Sequence, residues 1–517
     1  MVMNLISLTR KLVHQVKNSS LNQIRFTLEN PNQMYLLCSR SMSVGKVNCN
    51  SKENDLELEL ASEQDNQDIH DYEELVHKMH LLPDAGHQVA ILQPFVKWGP
   101  KKNLLTTPDL MLEEAKALID SLPNWKCVDS IKIPVESLEK KNVFGSGQFE
   151  DLQKKIVRNP NISAVFISTN ILRGIQRKEL MMAFGVPIFD RYSVVLQIFK
   201  DRARTREAKL QVAFAEIPYL RSCLVGLQKG TKSNLPVDNT NRGSRGGGGE
   251  SVYDSQIHLL DRREIKIKKE LEKLSKKRTL LKCERKKREF PVVAIVGYTN
   301  CGKTTLIKSL TGDSKITPRD ALFATLDVTV HGFKLPCNLT VLLVDTVGFI
   351  SNIPVNLIAA FNSTLRDAID ADVLIHLQDV SHPDLKNQVA TVKDTLLQLN
   401  IDSTKPMIQV ANKIDKMTLE QLEDFSDLQI SAKEGDGLEE LVESIQIKLL
   451  EVTNRRYLRL MVLSGGTEYS WLHKEATIIK YTNTRDPQYL ALDVLVTPST
   501  YGKLRSNFPN IRVLTAK

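Results

Sequence analysis

The chain has 517 residues, of which 42% are apolar and 25% are charged, and its formal net charge is +9. This balance is typical of a soluble globular protein and excludes a chain that is disordered throughout or collagen-like. No uncharged apolar run approaches the ~18–20 residues that span a bilayer, so we expect no membrane insertion. The seven cysteines form no Cys-x-x-Cys pair, which disfavours a zinc ribbon or a disulfide framework.

The first segment of the chain is basic. Residues 1–50 contain six Lys or Arg and a single acid, Glu29, and they lack the compact apolar core of a secretory signal. This composition predicts a mitochondrial transit peptide over 1–45 and localisation in the mitochondrial matrix. A disordered basic terminus with no targeting role is the alternative. Residues 46–87, in which 53–74 alone contain ten Asp or Glu, predict an acidic disordered spacer.

Alternating strand and helix patterns begin at residue 88. Short apolar runs at 89–92, 162–168 and 186–189 predict strands, and residues 110–122 have helical spacing. Strands that alternate with helices are typical of an α/β layer, so we predict a small N-terminal α/β domain over 88–190.

A basic helical hairpin is predicted over 191–289. Its first part is one long helix at Tyr192–Tyr219, and a Gly-rich loop at 229–250 follows. The second arm is strongly basic, with fourteen Lys or Arg against six Asp or Glu in residues 261–290. The apolar face of this arm is predicted at Ile265, Leu271, Leu274 and Leu281.

A phosphate-binding loop follows the buried-strand pattern at 292–296. Residues 297–304 match G-x-x-x-x-G-K-[ST] and lead into a helical pattern. Glycines let backbone N–H groups turn toward the α- and β-phosphates, and the helix N-terminus adds a positive dipole end. A chance Gly-rich turn is the alternative. The predicted nucleotide contacts of this loop are Gly297, Tyr298, Thr299, Asn300, Cys301, Gly302, Lys303, Thr304 and Thr305.

Three further motifs follow in order, each after a predicted strand. The Asp345 carboxylate can hold Mg²⁺ through water, and the Gly348 amide can bond the γ-phosphate. The carboxylate of Asp415 can accept two hydrogen bonds from guanine N1 and N2, a donor pair that adenine lacks. Because the motifs occur together, we predict a GTPase. The nucleotide contacts predicted in these motifs are Asp345, Thr346, Val347, Gly348, Asn412, Lys413, Asp415, Ser431, Ala432 and Lys433.

The predicted fold class is α/β, with a P-loop GTPase domain over 290–451 that follows the small α/β domain and the helical hairpin. The tail at 452–517 has the pattern strand, helix, strand, strand, helix, strand. This order predicts a small ferredoxin-like α+β domain.

Phe349 stands where Ras-like GTPases carry the glutamine that orients the attacking water. A phenyl ring cannot hydrogen-bond water, so we expect slow hydrolysis alone and stimulation by a partner. Thr325 is the candidate switch threonine that caps Mg²⁺ and the γ-phosphate, and Phe323 and Ala324 beside it are predicted to contact the nucleotide. The predicted metal ligands are Thr304, Thr325 and Asp345, and the predicted catalytic residues are Lys303, Thr325 and Gly348.

The chain resembles the HflX family of translation-associated GTPases. The resemblance covers about residues 88–500. Within the family the chain is most similar to the mitochondrial branch, and this similarity includes Cys301 and Thr304. The loop at 245–250 has four glycines instead of the Gly-Pro-Gly-Glu element of bacterial members. The segments that resemble the family are Gly297 to Lys303, Leu322 to Asp327, Asp345 to Phe349, Asp190-Arg191 and Asp201 to Val212.

The resemblance implies that the N-terminal domain and the hairpin approach the peptidyl-transferase region of the large ribosomal subunit. It also implies roles in separating subunits and, in mitochondria, in late maturation of the large subunit. The basic arm fits contact with ribosomal RNA phosphates. The alternative function is a GTP-regulated switch that binds a protein partner in signalling or trafficking. We expect a monomer that uses GTP and Mg²⁺.

Overall fold

The computed structural model describes residues 70–72, 75–76, 86–100, 102–137, 143–229, 252–287, 289–318, 322–323, 329–351, 370–399, 401, 405–418, 428–484 and 486–516. No helix within these ranges is long and apolar enough to cross a membrane. The division of the chain at residues 46, 88, 191, 290 and 452 stays a prediction.

The N-terminal sheet has parallel strands in the order β2-β1-β3-β4. Its strands are β1 (Gln88–Val96), β2 (Lys126–Val135), β3 (Ala164–Ile167) and β4 (Ile188–Asp190). The helices between them are α1 (Pro108–Asp120), α2 (Ser146–Arg158) and α3 (Gly174–Phe184). This arrangement confirms the predicted strand and helix alternation. Alternate residues of β1 and β3 face opposite sides, so each face of the sheet is covered by apolar side chains.

The helices that follow differ from the prediction of one continuous helix at Tyr192–Tyr219, which is wrong. The chain forms α4 (Arg191–Arg202) and α5 (Arg206–Lys229) with a break between them. The Thr205 side-chain hydroxyl accepts a hydrogen bond from the backbone N–H of Ala208 at 3.1 Å. A threonine in this position satisfies a free amide of a new helix, which explains why the second helix starts here.

The basic arm forms one long helix, α6 (Val252–Lys287), which packs beside α5. One position of its predicted apolar face, Ile265, is wrong, and the side chain of Leu281 lies outside the described residues. The Ile265 side chain is 55% exposed, whereas Ile267 is only 5% exposed and joins Leu260 in the core. Leu260, Ile267 and Leu271 are separated by one or two helical turns, so they share the face that meets α5.

The central sheet has the order β10-β9-β8-β5-β7-β6, in which β6 runs antiparallel to β7 and the other pairs are parallel. Its strands are β5 (Val292–Gly297), β6 (Thr329–Lys334), β7 (Thr340–Asp345), β8 (Val373–Asp379), β9 (Met407–Asn412) and β10 (Leu428–Ile430). Its helices are α7 (Lys303–Thr311), α8 (Leu385–Gln398) and α9 (Leu438–Val452). The apolar cluster on one face of this sheet continues into the core of the N-terminal sheet.

The C-terminal sheet is antiparallel, in the order β12-β13-β11-β14. Its elements are β11 (Arg456–Leu463), α10 (Thr467–Glu475), β12 (Thr477–Asn483), β13 (Tyr489–Val496), α11 (Pro498–Asn507) and β14 (Arg512–Ala516). The first β-α-β unit contributes β11 and β12, and the second contributes β13 and β14. In the sheet, β13 lies between the two strands of the first unit, and β11 lies between the two strands of the second. The predicted ferredoxin-like α+β tail is therefore confirmed.

Candidate functional site

The loop between β5 and α7 is built on close backbone contacts. A Cβ atom at Gly297 would lie 2.4 Å from the carbonyl oxygen of Leu377, and one at Gly302 would lie 2.4 Å from Nδ2 of Asn412. Gly302 also has φ of +99°, a conformation that side chains rarely tolerate. Glycine is required at both ends of the loop, as the phosphate-binding motif predicts.

Lys303 begins α7 and points back over this loop. Its Nζ donates to the carbonyl oxygen of Tyr298 at 2.8 Å and to that of Gly297 at 3.2 Å. The residue is only 7% exposed. The Thr299 hydroxyl, which is also buried, has no hydrogen-bond partner among the residues that the structure describes. A buried ammonium group beside an unused hydroxyl donor matches the charge and hydrogen-bonding needs of a phosphate group.

Two of the three residues predicted to hold Mg²⁺, Thr304 and Asp345, lie together at the start of α7 and the end of β7. The Thr304 hydroxyl donates to Oδ2 of Asp345 at 2.7 Å. The next residue, Thr346, is anchored because its hydroxyl donates to the carbonyl oxygen of Ile295 at 2.6 Å. A hydroxyl and a carboxylate are ligands that Mg²⁺ accepts when phosphate oxygens and waters complete its shell. The oxygens present therefore fit a magnesium ion bound with a nucleotide phosphate.

The segment after β7 runs directly against the loop. The backbone N–H of Phe349 donates to the Gly297 carbonyl at 3.1 Å, and the Thr299 N–H donates to the Phe349 carbonyl at 2.7 Å. A Cβ atom at Gly348 would lie 2.8 Å from Cγ2 of Thr299 and 3.1 Å from Nζ of Lys303. The Gly348 backbone is thus beside the lysine that is expected to meet the γ-phosphate. The Phe349 side chain is only 3% exposed, so its ring is part of the core.

The residues predicted to recognise guanine meet at the ends of β9 and β10. The buried Asn412 side chain joins two loops, since it donates to the Cys301 carbonyl at 2.8 Å and accepts from the Ala432 N–H at 3.0 Å. The Ser431 hydroxyl donates to Oδ1 of Asp415 at 2.7 Å, which orients a carboxylate that is otherwise exposed. Asn412 therefore sets the distance between the phosphate loop and the base-recognition segment.

Lys413 ties the same two segments together from the other side. Its Nζ donates to the Asn300 carbonyl at 2.8 Å and pairs with Oδ2 of Asp379 at 2.7 Å. Lys413 has φ of +68°, and Asn300 has φ of 62°, so both turns hold non-glycine residues in the left-handed region. The sequence analysis missed Asp379. A carboxylate at the carboxyl end of a predicted strand next to the base motif was the signal that could have identified it.

The remaining predicted residues are distributed as follows. Thr305 lies in the first turn of α7, Val347 is buried between Thr346 and Gly348, and the exposed Lys433 pairs with Glu434. Ala324 and Thr325 lie outside the described residues, whereas Phe323 is buried and packs against Phe199 of α4. The structure therefore brings the predicted phosphate, metal and base residues together, and it leaves the switch threonine a prediction.

Tyr298 has a second set of contacts that the motif does not predict. Its carbonyl bonds Lys303, but its hydroxyl reaches Glu114 of α1 and Ser351. Burial and the Glu114 carboxylate raise the pKa of the Tyr298 phenol well above its ordinary value. The phenol therefore stays protonated and donates its hydrogen bond.

The strand order of the central sheet, the loop between β5 and α7, and the segments after β7, β9 and β10 define a P-loop GTPase. Residues 292–413 match the model of a family described as 50S ribosome-binding GTPase. Residues 109–200 and 202–285 match models described as the GTP-binding GTPase N-terminal and middle regions. The chain belongs to the HflX family of GTPases and hydrolyses GTP.

Curated relatives support this assignment over most of the chain. The proteins named "Putative GTP-binding protein 6" of Xenopus laevis and Homo sapiens are 43% and 42% identical, over 86% and 84% of this chain and 83% and 84% of theirs. The GTPase HflX of Caldanaerobacter subterraneus is 39% identical over 67% of this chain and 78% of its own. A solved complex of SsGBP with GDP is 25% identical over 71% of this chain and 99% of its own, with a TM-score of 0.39.

Proposed function

We propose that this GTPase acts on the large ribosomal subunit of mitochondria, in late subunit maturation or in ribosome dissociation and recycling. In this proposal GTP binding sets the affinity for the subunit and hydrolysis permits release. The observation that carries the proposal is a row of cations on the outer face of α6, outside the nucleotide site. The family model described as 50S ribosome-binding GTPase supports the choice of a large subunit as the partner.

Three acids of α6 pair with arginines of α5, whereas Glu272 is exposed beside the lysines of the outer face. Arg221 of α5 pairs with Asp261 at 2.6 Å and with Glu264 at 2.8 Å. Arg206 at the start of α5 pairs with Glu270 at 2.7 Å. Glu264 and Glu270 each pair with one lysine of α6 as well, Lys268 at 2.7 Å and Lys273 at 2.8 Å.

The exposed cations of α6 recur every three or four residues, so they form one stripe along the helix. Lys269, Lys276 and Lys277 have no ion-pair partner within the described ranges of the chain. A stripe of this kind matches the regularly spaced phosphates of an RNA backbone. The exposed members of the stripe are Arg262, Lys266, Lys269, Lys273 and Lys276, and Lys277 extends it one turn after Lys273.

In this proposal each residue of the nucleotide site has a separate role. Lys303 neutralises charge on the β- and γ-phosphates, and the Gly348 amide donates to the γ-phosphate. Thr304 and Asp345 hold Mg²⁺, which supplies charge neutralisation at the phosphates. Asp415, oriented by Ser431, reads the guanine edge. We expect hydrolysis to be slow in the free protein and faster on the ribosome, since Phe349 offers no hydrogen bond to water.

The ribosomal proposal is tested by binding to mitochondrial large subunits at several salt concentrations. The variant replaces Lys269, Lys276 and Lys277 by glutamine. Each lost phosphate contact removes up to ~0.7–0.9 from the slope of log affinity against log salt, so the slope should shrink by up to about 2–3. The affinity of the free protein for GTP should not change, because these residues lie outside the nucleotide site.

A matched control removes the same charge elsewhere. Lys154 on α2, Lys386 on α8 and Lys480 on β12 are exposed lysines of other surfaces, and their glutamine variant should keep the wild-type slope. Cosedimentation should be stronger with a GTP analogue than with GDP. An unaltered slope in the α6 variant, or no binding to subunits in either nucleotide state, would contradict the proposal and favour a protein partner.

We also propose that residues 1–45 direct import into the mitochondrial matrix. The support is their composition, with a single acid among the first 50 residues. A fluorescent reporter fused after residue 45 should enter the matrix. Replacing Arg10, Lys11, Lys17 and Arg25 by glutamine should abolish import, and a cytosolic signal from the unaltered fusion would refute the proposal.

A further inference from the structure

Ser351, which follows the Gly348 segment, is held by one side chain of the phosphate loop and one of helix α4. Its backbone N–H donates to the Tyr298 hydroxyl oxygen at 2.8 Å, and its own hydroxyl lies 2.7 Å from the same oxygen. Its carbonyl accepts from Nε of Arg191 at 3.1 Å. Two residues, Tyr298 and Arg191, therefore fix both backbone polar groups of Ser351.

These two residues are in turn joined by Glu114 of helix α1. The Tyr298 hydroxyl donates to Oε1 of Glu114, and Nη2 of Arg191 lies 3.0 Å from that oxygen. The Arg191 and Tyr298 side chains are buried, and Glu114 is mostly buried. An ion pair in this setting is screened less than one on the surface, so it can hold a defined geometry.

Helix α4 contacts the nucleotide site at a second point. Phe199, about two turns after Arg191, packs edge-on against Phe323 with ring centroids 4.8 Å apart. Phe323 is buried and has φ of 53°, which a bulky residue adopts only when its surroundings hold it there. Phe323 is two residues before Thr325 in the sequence, so the helix that bonds Ser351 also packs against a neighbour of the predicted switch threonine.

We propose that Arg191 and Glu114 are positioning residues for GTP hydrolysis, which act through Tyr298 and Ser351 to fix segment 348–351 against the phosphate loop. Neither residue reaches the nucleotide. Because Phe349 cannot orient water, hydrolysis depends on where the backbone of this segment lies, and a displacement near 1 Å is enough to slow a reaction strongly. Residues of α1 and α4 thereby set the rate of hydrolysis at the nucleotide site.

The experiment compares single-turnover hydrolysis by the free full-length chain at saturating GTP. Tyr298→Phe removes the hydroxyl but keeps the ring, and the backbone carbonyl of the residue can still accept from Lys303. We expect its rate constant to fall about tenfold, which corresponds to about 1.4 kcal/mol. Glu114→Gln keeps an acceptor for Tyr298 but loses the charge that holds Arg191, and a fall of about threefold to fivefold is expected, or about 0.7–1 kcal/mol.

Three readouts separate positioning from a general loss of structure. The affinities for GTP and GDP should stay within about twofold of wild type, since no nucleotide contact is removed. The double variant should lose less than the product of the single losses, because both act through one network. The control Glu113→Gln, at an exposed carboxylate of the same helix, should behave as wild type.

Two results would overturn the proposal. One is a wild-type rate constant in both Tyr298→Phe and Glu114→Gln. The other is a loss of rate that runs in parallel with equal losses of nucleotide affinity and melting temperature, which would make the contacts merely structural. No ribosome enters these assays, so their outcome is independent of the ribosomal proposal.

Discussion

Asn412 offers the sharpest test of the nucleotide site, because its side chain joins the phosphate loop to the base-recognition segment. Replacing it by alanine removes the bonds to the Cys301 carbonyl at 2.8 Å and from the Ala432 N–H at 3.0 Å. Both backbone groups are buried, and each unsatisfied group costs about 1–3 kcal/mol, so the junction should lose about 2–6 kcal/mol.

Part of this loss should appear as weaker nucleotide binding. The phosphates and the base of one nucleotide must be met at once, and that requires the two segments to keep their spacing. We expect GTP and GDP affinity to fall together by about tenfold to 100-fold, or about 1.4–2.8 kcal/mol. Both nucleotides are affected because each has the same base and the same inner phosphates.

Fluorescent GDP and GTP analogues measure the two affinities, and urea unfolding measures the accompanying loss of stability. The matched control is Asn338→Ala. The Asn338 amide also joins two segments, since it donates to the carbonyls of Ile478 at 3.1 Å and Ile479 at 2.9 Å, away from the nucleotide site. This control should lose stability without losing affinity. Unchanged binding in Asn412→Ala, or a loss for GTP alone, would refute the assignment.

Four further outcomes are expected. Asp415→Asn should weaken GTP by about 2–4 kcal/mol and favour xanthosine triphosphate, whose edge has the reversed pattern; unchanged GTP affinity in a competition assay would refute this role. Gly348→Ala should slow single-turnover hydrolysis and spare GDP affinity, because its Cβ would lie 2.8 Å from Cγ2 of Thr299. Phe349→Gln should lower the unfolding free energy by about 1–3 kcal/mol without faster hydrolysis, since it buries an amide in an apolar cluster. Burial lowers the pKa of His376 to about 4, so a stability contribution of about 3 kcal/mol present at pH 7 should be lost as pH falls from 6.5 to 4. The unfolding free energy of the His376→Gln variant should fall less steeply with pH over the same range.

Local spacing was enough to predict the core of the candidate site. The phosphate loop requires glycine at fixed positions, and Gly297 and Gly302 show the close contacts that explain this. The order of motifs after successive strands also predicted which segments meet at one edge of the sheet. The meeting of these segments could be predicted because each motif is a short stretch whose backbone geometry depends on its own residues.

Contacts between distant segments could not be predicted in the same way. Tyr298 and Glu114 are 184 positions apart, and nothing in either local pattern indicates their hydrogen bond. Strand β2 was missed because it lies at the edge of its sheet, where Lys, Asp and Ser side chains can face solvent and interrupt the apolar run. The break before Arg206 depends on one cap, the Thr205 hydroxyl, inside a stretch with continuous helical spacing.

Thermodynamic linkage relates GTP binding to binding of the ribosomal subunit. If GTP tightens subunit binding by a given factor, the subunit must tighten GTP binding by the same factor, so the binding face and the nucleotide site need a physical connection. The described contacts supply one through three helices. Arg221 of α5 pairs with Asp261 of α6, the Tyr192 hydroxyl of α4 donates to the Ala215 carbonyl of α5 at 2.6 Å, and Arg191 of α4 bonds Ser351.

This connection predicts different defects for substitutions at its two ends, the outer face of α6 and the contact between Arg191 and Ser351. Removing lysines from the outer face of α6 should weaken docking while the free protein hydrolyses GTP at its usual rate. Weakening the Arg191 contact should slow hydrolysis while the salt dependence of docking stays the same, because the cationic stripe is intact. A substitution between the two ends should leave docking and basal hydrolysis normal, but the ribosomal subunit should no longer stimulate hydrolysis. Tyr192→Phe is that substitution, since it removes one hydroxyl between α4 and α5 and no contact at either end.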